Sequence, residues 1–229
     1  MSPAPPLSVV IPALEERDGI AACLAALQPL RAAGAEIIVV DGGSRDATAS
    51  IAAAAGARVL QAPRGRAAQM NAGAAAAGAR LLAFLHADTR PTAPACRRLL
   101  ELAVQPGECW GRFDVRLSGA GASLRMIGTC MNLRSRITGI ATGDQLMFAT
   151  RSLFQRAGGF PEIALMEDVA LSARLNRLAR PCCCRERVES SSRRWRRHGV
   201  LRTMLLMWRL RAAYALGTDP ARLAQRYDG

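Results

Sequence analysis

Five clusters of acidic, basic or amide residues interrupt a chain of 229 residues that is otherwise half apolar. Pro12-Ala13-Leu14-Glu15-Glu16 comes first, then Asp41-Gly42-Gly43-Ser44-Arg45-Asp46, then Arg64-Gly65-Arg66 with Asn71 and Gly73. His86-Ala87-Asp88 is fourth, and Glu167-Asp168, preceded by Gly143-Asp144-Gln145, is fifth. Acids in the first two clusters can accept hydrogen bonds from a base or ribose, and glycines let a backbone approach a ligand closely. The arginines can grip a diphosphate with two parallel hydrogen bonds. A carboxylate such as Asp88 can hold a divalent cation that bridges two phosphates and offsets charge on a departing diphosphate. Asp168 can act as a general base toward a hydroxyl. Each cluster also has an ordinary use, as turn chemistry or as carboxylates at a helix start.

The elements that must position these groups follow from hydrophobic period. Residues 7–11 and 37–40 are short apolar, β-branched runs, and between them Ile20, Cys23, Leu24, Leu27 and Leu30 recur at helical spacing until Gly34. Strand, helix, strand implies a parallel sheet with right-handed crossovers. The pattern continues with a helix to about residue 55, a strand at 57–61, a helix at 67–77 and a strand at 81–85. Up to that point every polar cluster of note follows the carboxyl end of a strand, the edge where open α/β sheets bind ligands. Beyond a helix at 92–104 the strict alternation stops. Strands are predicted at 110–117, 145–150 and 182–192, and helices at 121–136, 167–179 and 200–216. We expect a single Rossmann-like α/β domain over 1–229, with a mostly parallel sheet flanked by helices. Its nucleotide-binding half is expected at 7–105, an acceptor and catalytic half at 106–195, and a helical extension at 196–229.

Composition excludes several classes. The net charge of +13 is carried by arginine, because the chain contains no lysine. A P-loop nucleotidase and a Schiff-base enzyme both depend on lysine. No G-x-G-x-x-G follows the first strand, which argues against a dinucleotide oxidoreductase. Seven cysteines, three of them consecutive at 182–184, read as free thiols, and without C-x-x-C spacing and with only two histidines they make no zinc site. No run reaches the about 18 apolar residues needed to cross a bilayer, and residues 1–6 lack the features of an export signal, so the expected location is cytoplasmic.

Taken in order, the stretches SVVIPALEE, IIVVDGGSRDAT, GRAAQMNAG, FLHADT, GDQLMF, GGFPEIALMEDVAL and SSRRW resemble the family 2 inverting glycosyltransferases of the A-type nucleotide-sugar-binding fold. The likeness is greatest to small, single-domain bacterial members. It implies that Pro12, Leu14, Glu15 and Asp41 line the nucleotide pocket, and that Arg66, Asn71 and Ala87 lie on the donor side, with His86 either touching ribose or phosphate there or serving as a core histidine. Asp88 matches the last aspartate of the family's metal motif, so Mg²⁺ or Mn²⁺ is the implied cofactor. The first acid of that motif is replaced here by His86. Glu167 and Asp168 match the family's catalytic acid pair, with Asp168 as base. Gly143, Asp144 and Gln145 fall on the acceptor side, and Arg194-Trp195 matches the end of a later motif near the diphosphate. A nucleotide-diphosphate sugar, with a UDP-sugar as first expectation, is the implied partner.

Two features leave alternatives open. The last quarter of the chain, from Arg174, holds 14 arginines against four acids, a net +10. Such a basic end meets phosphates, acidic lipid or nucleic acid, but it lacks the interleaved aromatics that stack single-stranded bases, so nucleic acid is not expected. The apolar and basic segment 200–216 could lie on an anionic membrane, pack on the sheet, or meet a second subunit in a homodimer. The membrane reading carries with it a lipid-linked acceptor and a peripheral position at the inner membrane face. His198 could complete a metal shell or stand in solvent. A sugar nucleotidyltransferase shares the fold class, but its G-x-x-x-R-x-x-P-x-x-K loop is missing. A non-catalytic binder of anionic ligands or lipid surfaces on a decayed transferase fold is the remaining alternative.

Overall fold

The structure is a computed structural model and describes residues 4–228; the side chains of His198 and Asp228 and residues 1–3 and 229 lie outside the described part. Both the metal role considered for His198 and the first half of the segment tested for an export signal therefore fall outside it.

β1 (Leu7–Ala13) is buried along its whole length, as its unbroken apolar run requires. The helix expected next divides into α1 (Ile20–Ala26) and α2 (Gln28–Ala32), because Pro29 sits in the first turn of α2 and supplies no backbone N–H to the preceding turn. β2 (Glu36–Asp41), α3 (Thr48–Ala54), β3 (Arg58–Gln61), α4 (Arg66–Ala76) and β4 (Leu81–Phe84) then follow as predicted. A three-residue strand, β5 (Thr89–Pro91), was too short to give a sequence signal. α5 (Ala93–Val104), β6 (Trp110–Leu117) and α6 (Ala122–Thr138) precede a single 3-10 turn at Gly143–Gln145 and β7 (Met147–Thr150). The rest comprises α7 (Arg151–Arg156), α8 (Glu167–Leu178), β8 (Cys182–Ser190), α9 (Arg193–His198), α10 (Val200–Ala215) and α11 (Pro220–Asp228).

The eight strands form one sheet in the order β3-β2-β1-β4-β7-β6-β8-β5. β3, β2, β1 and β4 are parallel, as the alternation requires. The second half corrects the simple parallel picture. β7 is antiparallel to both β4 and β6, which returns β6 and β8 to the direction of β1, and β5 closes the edge antiparallel to β8. The sheet is therefore mixed, with six strands pointing one way. Alternate residues feed the two faces: Val9, Ile11, Ile37 and Val39 pack under α1 and α5, while Val10, Ile38, Val40 and Phe84 pack with Met70 of α4 and Leu171 of α8. The strand order reverses between β1 and β4. In open α/β sheets ligands bind at the carboxyl ends of the strands on either side of such a reversal.

Candidate active site

β1 and β2 end side by side, with Ala13 opposite Asp41. Asp41 is 1% exposed and accepts hydrogen bonds from Gly43 N at 3.2 Å, from Ser44 N at 3.1 Å and from the Ser44 hydroxyl. Ser44 Oγ in turn accepts from Glu15 N at 3.0 Å, and Glu15 Oε1 accepts from Arg45 N at 2.7 Å. Thr48 continues the interlock by accepting from Glu16 N at 2.8 Å. The two loops that were predicted to face a nucleotide are thus built as one unit, with Pro12 inside β1 and Leu14 at its exit. Beneath them lies a residue the sequence reading did not single out. Gln69 of α4 is 3% exposed and donates to Ala13 O at 2.8 Å and Val40 O at 2.7 Å, holding both strand ends. A polar residue on the face that buries Ala67, Met70 and Ala74 was the available signal.

Asn71 spends its amide within the chain. It donates to Phe160 O at 2.8 Å and accepts from Phe160 N at 3.0 Å, tying α4 to the loop that leads to α8. Arg66, at the start of α4, meets Glu167 at the start of α8, Nε to Oε1 at 2.7 Å. Arg64 is exposed.

His86, Ala87 and Asp88 join β4 to β5. The His86 ring lies against Gly143: a Cβ at that glycine would stand 2.2 Å from Nε2, so only glycine fits. Burial, aided by the Arg66 charge, pushes the imidazole down to about 3, and the ring is neutral. Its Nε2 is buried without a hydrogen-bond partner. Asp88 has Thr89 Oγ1 at 3.4 Å as its side-chain contact. Burial raises the Asp88 carboxyl, and Arg193 pulls the other way. Glu16 is raised as well, first by burial and then by Asp88, although Arg193 pairs with it at 3.2 Å. Asp88, after β4, therefore opposes the ionisation of Glu16, after β1, the setting that a cation relieves.

Glu167 and Asp168 open α8 directly after Met166, whose φ is +71°. Asp168 Oδ2 accepts from Gly143 N at 2.7 Å, and its Oδ1 accepts from Val169 N at 2.7 Å. Glu167 is 2% exposed; burial and the adjoining Asp168 push it up to about 7 against the pull of Arg66. Burial raises Asp144 to about 6. Facing Asp144 and Asp168 is Arg134 of α6, a second residue not singled out from sequence. Burial lowers its guanidinium against the pull of those two acids, and its Nε and Nη2 find no partner among the described residues. Gln145 is fully buried, accepts from Thr142 N at 3.1 Å, and reaches Asn132 of α6 at 3.4 Å, which fixes the 143–145 turn against that helix. The non-glycine residues with positive φ among the described residues are Glu15, Leu146 and Met166. Each adjoins one of these clusters, where strained backbone tends to collect.

Arg194 and Trp195 lie on α9 and hold the C-terminal helices. The Arg194 guanidinium sits 3.4 Å from the Tyr227 ring centre and donates to the Tyr227 carbonyl, while Trp195 packs with Leu117, Leu124 and Ile127. With Arg193, Arg196 and Arg197, Arg194 lines a cleft of about 700 Å³.

Acids and arginines from five separate segments thus converge at the carboxyl edge of a mixed sheet, at the strand-order reversal. The mixed sheet and its flanking helices have the architecture of the A-type glycosyltransferase fold. The sequence model for Glycosyl transferase family 2 matches residues 8–153, well over half of the chain, and the chain belongs to that family. Among solved structures it is similar to residues 1–349 of TarS from S. aureus, with 17% identity and a TM-score of 0.66 over 81% of this chain and 60% of that one. The Pyrobaculum calidifontis mannosyltransferase PcManGT, in complex with GDP-Man and Mn²⁺, gives 18% identity and a TM-score of 0.65 over 99% of this chain and 70% of that one. Glucosyl-3-phosphoglycerate synthase from Mycobacterium tuberculosis, solved with Mn²⁺, UDP and glucosyl-3-phosphoglycerate, gives 22% and 0.57 over 80% and 70%. The chain spans 64% and 60% of the first two structures it matches. A comparison with curated proteins returns no match.

Proposed function

We propose that this chain transfers a sugar from a nucleotide-diphosphate sugar, a UDP-sugar first among them, to an acceptor hydroxyl with inversion at the anomeric carbon. The observation that carries the reading is the convergence of Asp88, Arg66, Asp144 and Asp168 within electrostatic reach of one another at one edge of the sheet. The interlocked loop of Glu15 and Asp41, with Pro12 and Leu14, would receive the nucleoside. Arg66 and the arginines of α9, Arg194 included, would meet the diphosphate.

Asp88 suits a divalent metal. Among the described residues no cluster of three or more His, Cys, Asp or Glu forms a complete protein cage. One or two carboxylates plus phosphate oxygens is instead how Mg²⁺ is usually held at a nucleotide. Asp88, with Glu16 beside it, would hold Mg²⁺ or Mn²⁺, which when bound neutralises charge on the leaving diphosphate.

Asp168 is the proposed base. Gly143 and Val169 each occupy one lone pair on its two oxygens, which fixes the carboxylate and leaves capacity to accept the acceptor's proton. Glu167 holds Arg66 in place through the ion pair. The unpartnered polar atoms of Arg134 and Asp144 face the same side as Asp168, so with Gly143 and Gln145 they would orient the acceptor.

Inversion is open to direct measurement. Incubated with an α-linked UDP-sugar and Mn²⁺, the protein should transfer the sugar slowly to water, and NMR of freshly released sugar should show the β-anomer first. Release of the α-anomer first would overturn the in-line displacement.

A further inference from the structure

α10 carries two apolar sides. The inner one is accounted for: Leu210 is 2% exposed and packs, with Leu206, Met207, Ala213 and Tyr214, on Leu165, Met166 and the α11 residues Leu223 and Tyr227. The outer one has no partner among the described residues. At 3.6 residues per turn, Leu201, Leu205, Trp208 and Ala212 fall in one row that continues to Leu216. Leu201 is 64% exposed, Trp208 63% and Leu216 87%, so the row stands in solvent rather than in a groove. Arg202 and Arg209, both exposed, border one edge, and Arg211 borders the other. Val200–Ala215 contains no acidic residue. Arg196 and Arg197, exposed on α9, extend the charge past the amino end of α10.

We propose that this outer face docks α10 in the plane of an anionic lipid bilayer. An exposed apolar row that carries a tryptophan and is flanked by arginines is the pattern of a helix lying at the headgroup level. No described helix is long and apolar enough to cross a membrane, so the contact is peripheral. A second copy of this chain fits less well: a self-complementary interface would bring the arginine borders of two +13 chains together. The inner side of α10 rests on Leu165 and Met166, directly before Glu167 and Asp168, so the docked face adjoins the acid pair through one helix. The proposal does not depend on the sugar-transfer reading, since the apolar row of α10 and its bordering arginines include none of the residues assigned to that site.

Flotation of the full chain with phosphatidylcholine vesicles, and with vesicles containing phosphatidylglycerol, tests it. The protein should float with the anionic vesicles only and be released by salt. Arg202→Gln with Arg209→Gln should weaken binding roughly 30-fold, the effect of removing two arginines from an anionic surface. Leu205→Ser with Trp208→Ser should abolish flotation. All four side chains are exposed, so thermal unfolding and nucleotide binding should not change, and those readouts separate this claim from the activity. Equal binding to both vesicle types, or variants that float like the parent, would overturn the proposal. So would a dimer in sedimentation velocity that Trp208→Ser dissociates, since a second copy would then cover the face.

Discussion

Replacing Asp168 by Asn should lower kcat by roughly 10³-fold, within the range that a positioned general base contributes. The substitution separates two roles that the geometry joins. Asp168 tethers Gly143 through Oδ2, and an Asn side-chain oxygen can accept the same backbone hydrogen bond. If tethering were the whole role, the variant would keep most of its activity. If the carboxylate takes the acceptor's proton, Asn cannot replace it. Steady-state release of nucleotide diphosphate at saturating donor reads the rate, and donor affinity should change by less than about threefold, because the lost interaction acts in the transition state. A loss below about tenfold would leave Asp168 a positioning residue only.

The second large effect belongs to Asp88. Asp88→Asn should remove the Mn²⁺-dependent part of donor affinity, at least about 100-fold or about 3 kcal/mol, the scale of a metal's charge stabilisation at a diphosphate. The fold should not suffer. In the apo chain the Asp88 carboxylate is raised by burial and has one long side-chain contact, to Thr89, so neutralising it removes a desolvation cost. Unchanged or raised thermal stability with lost metal dependence would mark Asp88 as a group held at a cost for its ligand. A variant that binds donor and Mn²⁺ like the parent would refute the metal assignment.

The first half of the domain was legible because β1, β2 and β4 are almost wholly buried and read as short apolar runs, with helical spacing between successive strands. The second half was not. Nothing in the residues of β7 states that it runs against β4 and β6, since direction is set by long-range pairing such as Phe84 with Met147. The motif residues could be placed at strand ends and at a helix start, but their partners could not. Asp168 bonds Gly143 across 25 residues and Gln69 bonds Ala13 across 56. Gly143 is explained only by the His86 ring that occupies its Cβ position. Arg134 sits within an ordinary helical pattern, and only the fold turns it toward Asp144 and Asp168. Arg194 and Trp195, placed at the diphosphate by resemblance, also carry a packing load toward α11 and α6 that no motif reveals.

The central claim is that the sheet edge at the carboxyl ends of β1 and β4 binds a nucleotide-diphosphate sugar with a divalent metal. Calorimetric titration of the purified chain with UDP-, GDP- and dTDP-sugars, with and without Mn²⁺, tests it most directly. The account predicts that one nucleotide class, UDP before the others, binds at a single site and much more tightly with Mn²⁺. Binding of none of them, or equal binding with and without the metal, would contradict it.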